Sequence, residues 1–222
     1  MAELITGLDA GQVRERVVEA RERIEAAAQR AGRDPADVEL LAAVKYVALD
    51  ELGTLADAGL TLLGENRAQE LVAKAEAYPG AFTWDFIGHL QSRKVKDIAP
   101  YVRYIHSVAS DSVLAQLERH APQREDFGVL VEVNVAGEAS KSGIAPAELA
   151  SFVARCPVPV VGLMTMPPAV AAPEENRPHF ATLRELATAH GLHHLSMGTS
   201  QDYEVAVEEG ATIVRLGSTL YR

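Results

Sequence analysis

Three features of this chain join a reactive side chain to a telling position. An apolar run, residues 38–44, ends on Lys45. A lysine there either snorkels into water or serves as a nucleophilic amine, because burial disfavours the ammonium form and a neutral amine attacks carbonyls. Two short stretches, Met197-Gly198-Thr199-Ser200 and Gly217-Ser218, combine small side chains, hydroxyls and approachable backbone N–H groups. Those are the means of holding a phosphate, above all where a helix follows. Arg215, two residues before Gly217, carries a guanidinium that stays protonated at any ordinary pH.

These residues work together only if the fold brings them to one place. The pattern predicts an N-terminal helix, with Asp9 as its cap and Gln12 as a capping-box partner. Val13, Val17, Ala20, Ile24 and Ala27 follow at helical spacing. Thereafter strands and helices alternate. Strands are expected over 38–44, 60–63, 83–87, 103–106, 127–135, 158–164, 193–196 and 212–216. Helices are expected over 50–59, 66–78, 91–98, 111–120, 146–155, 174–190 and 200–209. Eight strands separated by seven helices imply right-handed crossovers and a parallel sheet. That number favours closure into a single (β/α)8 barrel over an open doubly wound sheet. The first helix is expected to cover the gap left where an eighth helix is missing.

In such barrels the reactive groups gather at the C-terminal ends of the strands, and phosphate is often held between the last two loops. Lys45, the 197–200 stretch, Arg215 and Gly217-Ser218 all fall at strand ends. A lysine and a phosphate grip in one mouth point to a phosphorylated aldehyde or ketone. Pyridoxal 5′-phosphate (PLP) and a sugar phosphate both qualify. Beside a pyridine nitrogen, Arg215 would donate a hydrogen bond and leave the ring unprotonated, weakening it as an electron sink.

Composition narrows the partners. The 222 residues carry a net charge of −10, which argues against nucleic acid and anionic membranes. The densest basic cluster, Arg93-Lys94-Val95-Lys96, has only three cations. Cys156 is the single cysteine, so no internal disulfide forms. His193 and His194 are adjacent on a strand and point to opposite faces, so no metal is expected. With no signal peptide pattern and no apolar run of membrane length, a cytoplasmic protein is expected.

Eight motifs, in order from strand one to strand eight, resemble one family. They are 40–45 (LLAAVK), 64–66 (GEN), 84–94 (WDFIGHLQSRK), 133–134 (VN), 140–143 (SKSG), 162–164 (GLM), 195–202 (LSMGTSQD) and 214–217 (VRLG). The chain is identified as a member of the PLP homeostasis proteins, the YggS/PROSC-type group, similar to the N-terminal barrel domain of alanine racemase. The resemblance implies one PLP-binding barrel domain over residues 1–222. Lys45 would carry PLP as a Schiff base, and Thr199, Ser200, Gly217 and Ser218 would hold its phosphate. Arg215 would face the pyridine nitrogen, and Asn66, His89 and Met164 would line the pocket. Lys141 lies in a loop that such proteins link to cofactor handling. One departure is Tyr46-Val47-Ala48-Leu49, where the family pattern has a proline or a small polar residue.

A racemase needs a second group opposite the lysine. In the racemase pattern that group is a tyrosine from a β-rich second domain, and no such domain is expected here. The expected function is therefore intracellular holding and delivery of PLP, by a monomer, with apo-PLP enzymes as recipients and no robust catalysis. A weak PLP-dependent amino-acid racemase is the alternative, and a Schiff-base sugar-phosphate aldolase stands third.

Overall fold

A computed structural model describes residues 4–138, 142–168 and 170–221. Lys141 lies outside the described residues. The elements are α1 (Ala10–Arg30), β1 (Glu39–Ala43), α2 (Leu52–Asp57), β2 (Leu62–Glu65), α3 (Ala68–Ala77), β3 (Thr83–Phe86), α4 (Val95–Ile98), β4 (Val102–Val108), α5 (Asp111–His120), β5 (Gly128–Glu132), α6 (Leu149–Ala154), β6 (Val160–Met164), α7 (Arg177–Ala189), β7 (His194–Thr199), α8 (Tyr203–Glu208), β8 (Ile213–Leu216) and α9 (Ser218–Tyr221). The eight strands form a closed parallel barrel in sequence order. Closure comes from β8 pairing with β1, which sets Leu41 against Arg215 and Ala42 against Leu216.

Each strand is covered on both faces, as its apolar composition demands. Leu40, Ala42 and Val44 pack outward into the main core, with Val214 and Leu216 of β8 and the helices. The inward face is mixed. Leu41 and Ile213 are buried there, and so are Asp85, His106, Ser196 and Arg215. Hydrogen bonds link those four polar residues across the barrel.

The α1 helix forms as the spacing predicts. Asp9 caps it by accepting from the backbone N–H of Gln12 at 2.9 Å, and all five predicted core positions are buried. It packs against α8, α9 and α2, which places it over the β8–β1 seam. Arg33 reaches across the seam from just beyond α1 and donates to the Ala211 carbonyl at 3.0 Å. The ion pairs of Arg23 and Arg30 with Glu204 and Glu208 lie at the surface and contribute little. The apolar stripe is what docks the helix.

Strand boundaries differ from the predicted ones by a few residues. The longest strand is β4, not the predicted 127–135, because β5 stops at Glu132 where the chain turns away. The helix expected from residue 200 begins at Tyr203, since β7 continues to Thr199 and a turn intervenes. No helix among the described residues is long and apolar enough to cross a membrane.

Truncating the α1 stripe should open the seam. Ile24→Ala is expected to cost roughly 2–4 kcal/mol, read as a lower urea midpoint with the slope unchanged. An unaltered midpoint would show that α1 is not part of the barrel's cooperative core.

Candidate functional site

A cavity of about 530 Å³ opens at the C-terminal ends of the strands. Seven of the sequence-predicted residues line it: Lys45, Asn66, Thr199, Ser200, Arg215, Gly217 and Ser218. Two do not. His89 is exposed beyond the end of β3, and Ile87 takes the lining position. Met164 is buried at the end of β6, while Met166 lines the cavity. Met166 lies two residues beyond the end of β6, nearer the mouth than Met164.

Lys45 sits in the turn after β1, half-buried. Its Nζ lies 4.9 Å from the centre of the Tyr46 ring. No hydrogen bond or ion pair holds that amine among the described residues. The backbone around it, by contrast, is tied on three sides. Ile5 pairs with Val47, its N–H donating to the Tyr46 carbonyl at 2.7 Å. Arg67 donates to the Lys45 carbonyl at 2.8 Å. Lys74, fully buried on α3, donates to the Val44 carbonyl at 2.7 Å and to Glu65 at 2.6 Å. The other oxygen of Glu65 accepts from the N–H groups of Asn66 and Arg67, at 2.7 and 3.1 Å. One buried ion pair thus fixes the backbone leading into both Lys45 and Asn66. Sequence reading missed it, although Lys74 shares a helix face with Leu71 and Ala75, and a lysine on an apolar face is the available signal.

The hydroxyl-rich end joins the loops after β7 and β8. Ser200 Oγ accepts from the backbone N–H groups of Gly217 and Thr219, at 3.2 and 3.3 Å. Thr199 gives both its N–H and its hydroxyl to Asp202, at 2.7 and 3.1 Å, and Asn176 donates to the other Asp202 oxygen at 2.8 Å. Thr199 and the Gly217 N–H are therefore already engaged within the protein, and the hydroxyls of Ser200 and Ser218 are the more available donors to an anion. Gly198 is required by the backbone: its φ is +88°, and a Cβ would lie 2.6 Å from that of Ala206. Gly217 is different. It has no positive φ, and a Cβ would meet only Ala43 at ordinary contact distance. Neither conformation nor packing asks for glycine there.

Arg215 is almost fully buried. It donates from Nη1 to Ser196 Oγ at 2.6 Å and from Nη2 to the Thr165 carbonyl at 3.0 Å. Its Nε has no hydrogen-bond partner among the described residues. No carboxylate pairs with it there either, and burial pulls its pKa down to about 10, still protonated near neutrality. Behind it, Ser196 Oγ lies 2.8 Å from His106 Nδ1, and His106 Nε2 lies 3.1 Å from Asp85 Oδ2. Asp85 also accepts from Arg103 at 2.8 Å, and Arg103 forms a two-pronged pair with Glu39 at 2.8 and 3.0 Å. Burial alone would raise the Asp85 carboxyl, but His106 and Arg103 hold it below the usual carboxylate range. Burial pushes the His106 imidazole down, against the pull of Asp85.

The cavity contains groups that suit a phosphorylated pyridine aldehyde: an unpaired amine, a guanidinium with a spare N–H, and clustered hydroxyl and backbone donors. Asn66 Oδ1, Asn176 Oδ1 and the Tyr221 hydroxyl, on residues lining it, are buried without partners. No cluster of three or more metal-ligating side chains occurs among the described residues.

No family model matches the chain. It is 42% identical over 219 residues to the pyridoxal phosphate homeostasis protein of Aquifex aeolicus, covering 93% of this chain and 96% of that protein. The protein of the same name from Pseudomonas aeruginosa is 41% identical over 217 residues, covering 94% of each. The chain belongs to the pyridoxal phosphate homeostasis protein family. PipY of Synechococcus elongatus, solved with PLP bound, superposes on this family member with a TM-score of 0.76 at 28% identity, over 95% of this chain and 100% of that one. Alanine racemase of Corynebacterium glutamicum superposes at 0.64 with 18% identity, over 99% of this chain and 63% of its own. At that identity the likeness shows the fold alone: the barrel of this homeostasis-family chain is of the alanine racemase type.

Lys74→Met in this family member leaves Glu65 buried without its cation, and a loss of about 3–5 kcal/mol is expected in chemical denaturation. Acid should also destabilise the apoprotein. His106 is held below the 6.5 of a free imidazole, so the unfolded chain takes up the proton first. Stability is complete above about pH 6.5 and is lost as pH falls toward the folded value. Asp85, depressed below 3.8, acts in the same direction in stronger acid. The melting temperature should therefore fall between about pH 7 and pH 5, less steeply in His106→Asn; equal slopes would remove His106 from the account.

Proposed function

We propose that this chain binds PLP in the barrel mouth and serves to hold and hand over the cofactor inside the cell. Lys45 Nζ condenses with the aldehyde, losing water and forming a Schiff base. Ser200 and Ser218 hold the phosphate, joined by Gly217 and Thr199 as these exchange their bonds to Ser200 and Asp202 for the anion, and the spare Nε–H of Arg215 meets the pyridine nitrogen. The observation that carries this reading is Lys45 itself. Its backbone is pinned on three sides while its amine is left unpaired, in the same cavity as Arg215 and the Ser200–Gly217 grip. The names of the relatives, and PLP in PipY, support the same cofactor. We take the barrel to be a single domain acting as a monomer, with apo-PLP enzymes as recipients.

Bound PLP supplies an electron-withdrawing ring, and a guanidinium at its nitrogen limits that capacity because it donates a hydrogen bond without protonating the ring. Carriage is therefore favoured over turnover. One observation favours a second reading, a weak amino-acid racemase: the Tyr221 hydroxyl is unpartnered and its residue lines the Lys45 cavity. Burial pushes that hydroxyl's pKa upward, which makes it a poor base near neutrality and keeps the racemase second. A sugar-phosphate aldolase would leave the spare N–H of Arg215 without a ring nitrogen to meet.

The visible spectrum of the purified protein with added PLP tests the proposal. A yellow band that bleaches with borohydride, leaving the cofactor's mass on Lys45 and absent from Lys45→Ala, is the expected result. A colourless wild type would reject the cofactor. Steady alanine racemisation lost in Tyr221→Phe would replace the carrier with the racemase.

A further inference from the structure

The hydrogen-bond chain behind Arg215 has a direction that its chemistry dictates. Arg215 can only donate, so Ser196 Oγ accepts from Nη1. At the far end, Asp85 accepts from Arg103 through both oxygens, at 3.2 and 2.8 Å, and from the Tyr104 N–H at 3.1 Å. An ionised carboxylate only accepts, so His106 Nε2 is the donor in its contact with Asp85. That leaves His106 Nδ1, 2.8 Å from Ser196 Oγ.

If Nδ1 also carried a proton, His106 would be a fully buried cation between Arg103 and Arg215. Ser196 Oγ would then accept twice, and its own proton would need a third partner. No such partner exists among the described residues. A neutral imidazole with its proton on Nε2 satisfies every group: Nδ1 accepts from the Ser196 hydroxyl, and that hydroxyl accepts from Arg215. Burial, together with the two guanidiniums, favours the same neutral form. The Thr165 carbonyl holds Nη2 on the other side. Each terminal nitrogen of the guanidinium is thereby anchored, and Nε–H makes no bond among the described residues.

We propose that Ser196 and His106 are positioning residues for Arg215, locking its guanidinium through a one-way chain, Arg215 to Ser196 to His106 to Asp85, so that the unpaired Nε–H is held in a fixed orientation toward a ligand. This rests on the reading of Arg215 as the partner of the PLP ring nitrogen. The ligand selected is an aromatic ring presenting an unprotonated nitrogen, since a fixed N–H donor repels a protonated one.

Two measurements test it. In the apoprotein near pH 7, the ring nitrogens of His106, assigned by comparison with His106→Asn, should resonate as a neutral imidazole with Nε2 protonated and Nδ1 bare. An imidazolium, or the opposite tautomer, overturns the chain whether or not PLP binds. In the second, Ser196→Ala should weaken PLP binding about 10- to 100-fold and shift the absorption band of the bound cofactor. Ser196→Thr, which keeps the hydroxyl, should restore both. An unchanged band and affinity in a folded Ser196→Ala protein overturn the positioning role. If the wild type takes up no PLP, the PLP reading fails, and the nitrogen resonances alone decide the chain. If Ser196→Ala does not fold, Ser196→Thr with a displaced band overturns the role, and a native band upholds it.

Discussion

The pairing of β8 with β1 is the interaction on which the rest depends. It is a short parallel ladder, four residues on each side, between segments far apart in the chain. Without it there is an open sheet with a lysine on one edge and an arginine on the other. With it, Ala43 and Gly217 become neighbours, and the amine, the guanidinium and the hydroxyl loops share one mouth. The helix α1 follows from the same constraint. A seam between first and last strands has an outer face that needs an apolar cover, and the stripe from Val13 to Ala27 supplies it.

Precision at the mouth comes from beneath. Two buried polar assemblies carry it, Glu65 with Lys74 under the β1 and β2 turns and the Asp85–His106–Ser196 chain under β8. Charges placed so deep are costly unless every donor and acceptor is matched, and a matched set has few alternative arrangements. The barrel therefore holds its functional groups by their backbones and their rear faces. Lys45 shows the pattern clearly: its backbone is constrained, and its reactive end is left alone.

Much of this was legible in the sequence. Apolar runs alternating with amphipathic segments gave eight strands and closure, and strand ends gave Lys45, Ser200, Arg215 and Gly217, because barrel chemistry collects there. What lies outside the cavity lining, or was not foreseen, has physical causes. Met164 closes β6 and Met166 lies just beyond it, and how far a residue stands from the mouth is not written in the apolar run. His89 was carried by a motif rather than by geometry, and the chain turns outward at that point. Asn176 and Asp202 come from turns flanking α7 and α8, where neither spacing nor propensity indicates what a side chain will meet. The ordering of Asp85, His106 and Ser196 joins strands three, four and seven, a contact set by the barrel's cross-section and invisible along the chain.

The seam also fixes when the site can exist during synthesis. Arg30 and Glu208, which meet beside it, are 178 positions apart. A ribosome adding about 5–20 residues per second needs roughly 10–30 s to travel from the lysine to the arginine. Throughout that interval the nascent chain has an unpaired β1 edge and an α1 stripe with nothing to cover, surfaces that invite chaperones or aggregation. The mouth needs both β1 and β8, so it cannot be complete before the last strand has been made.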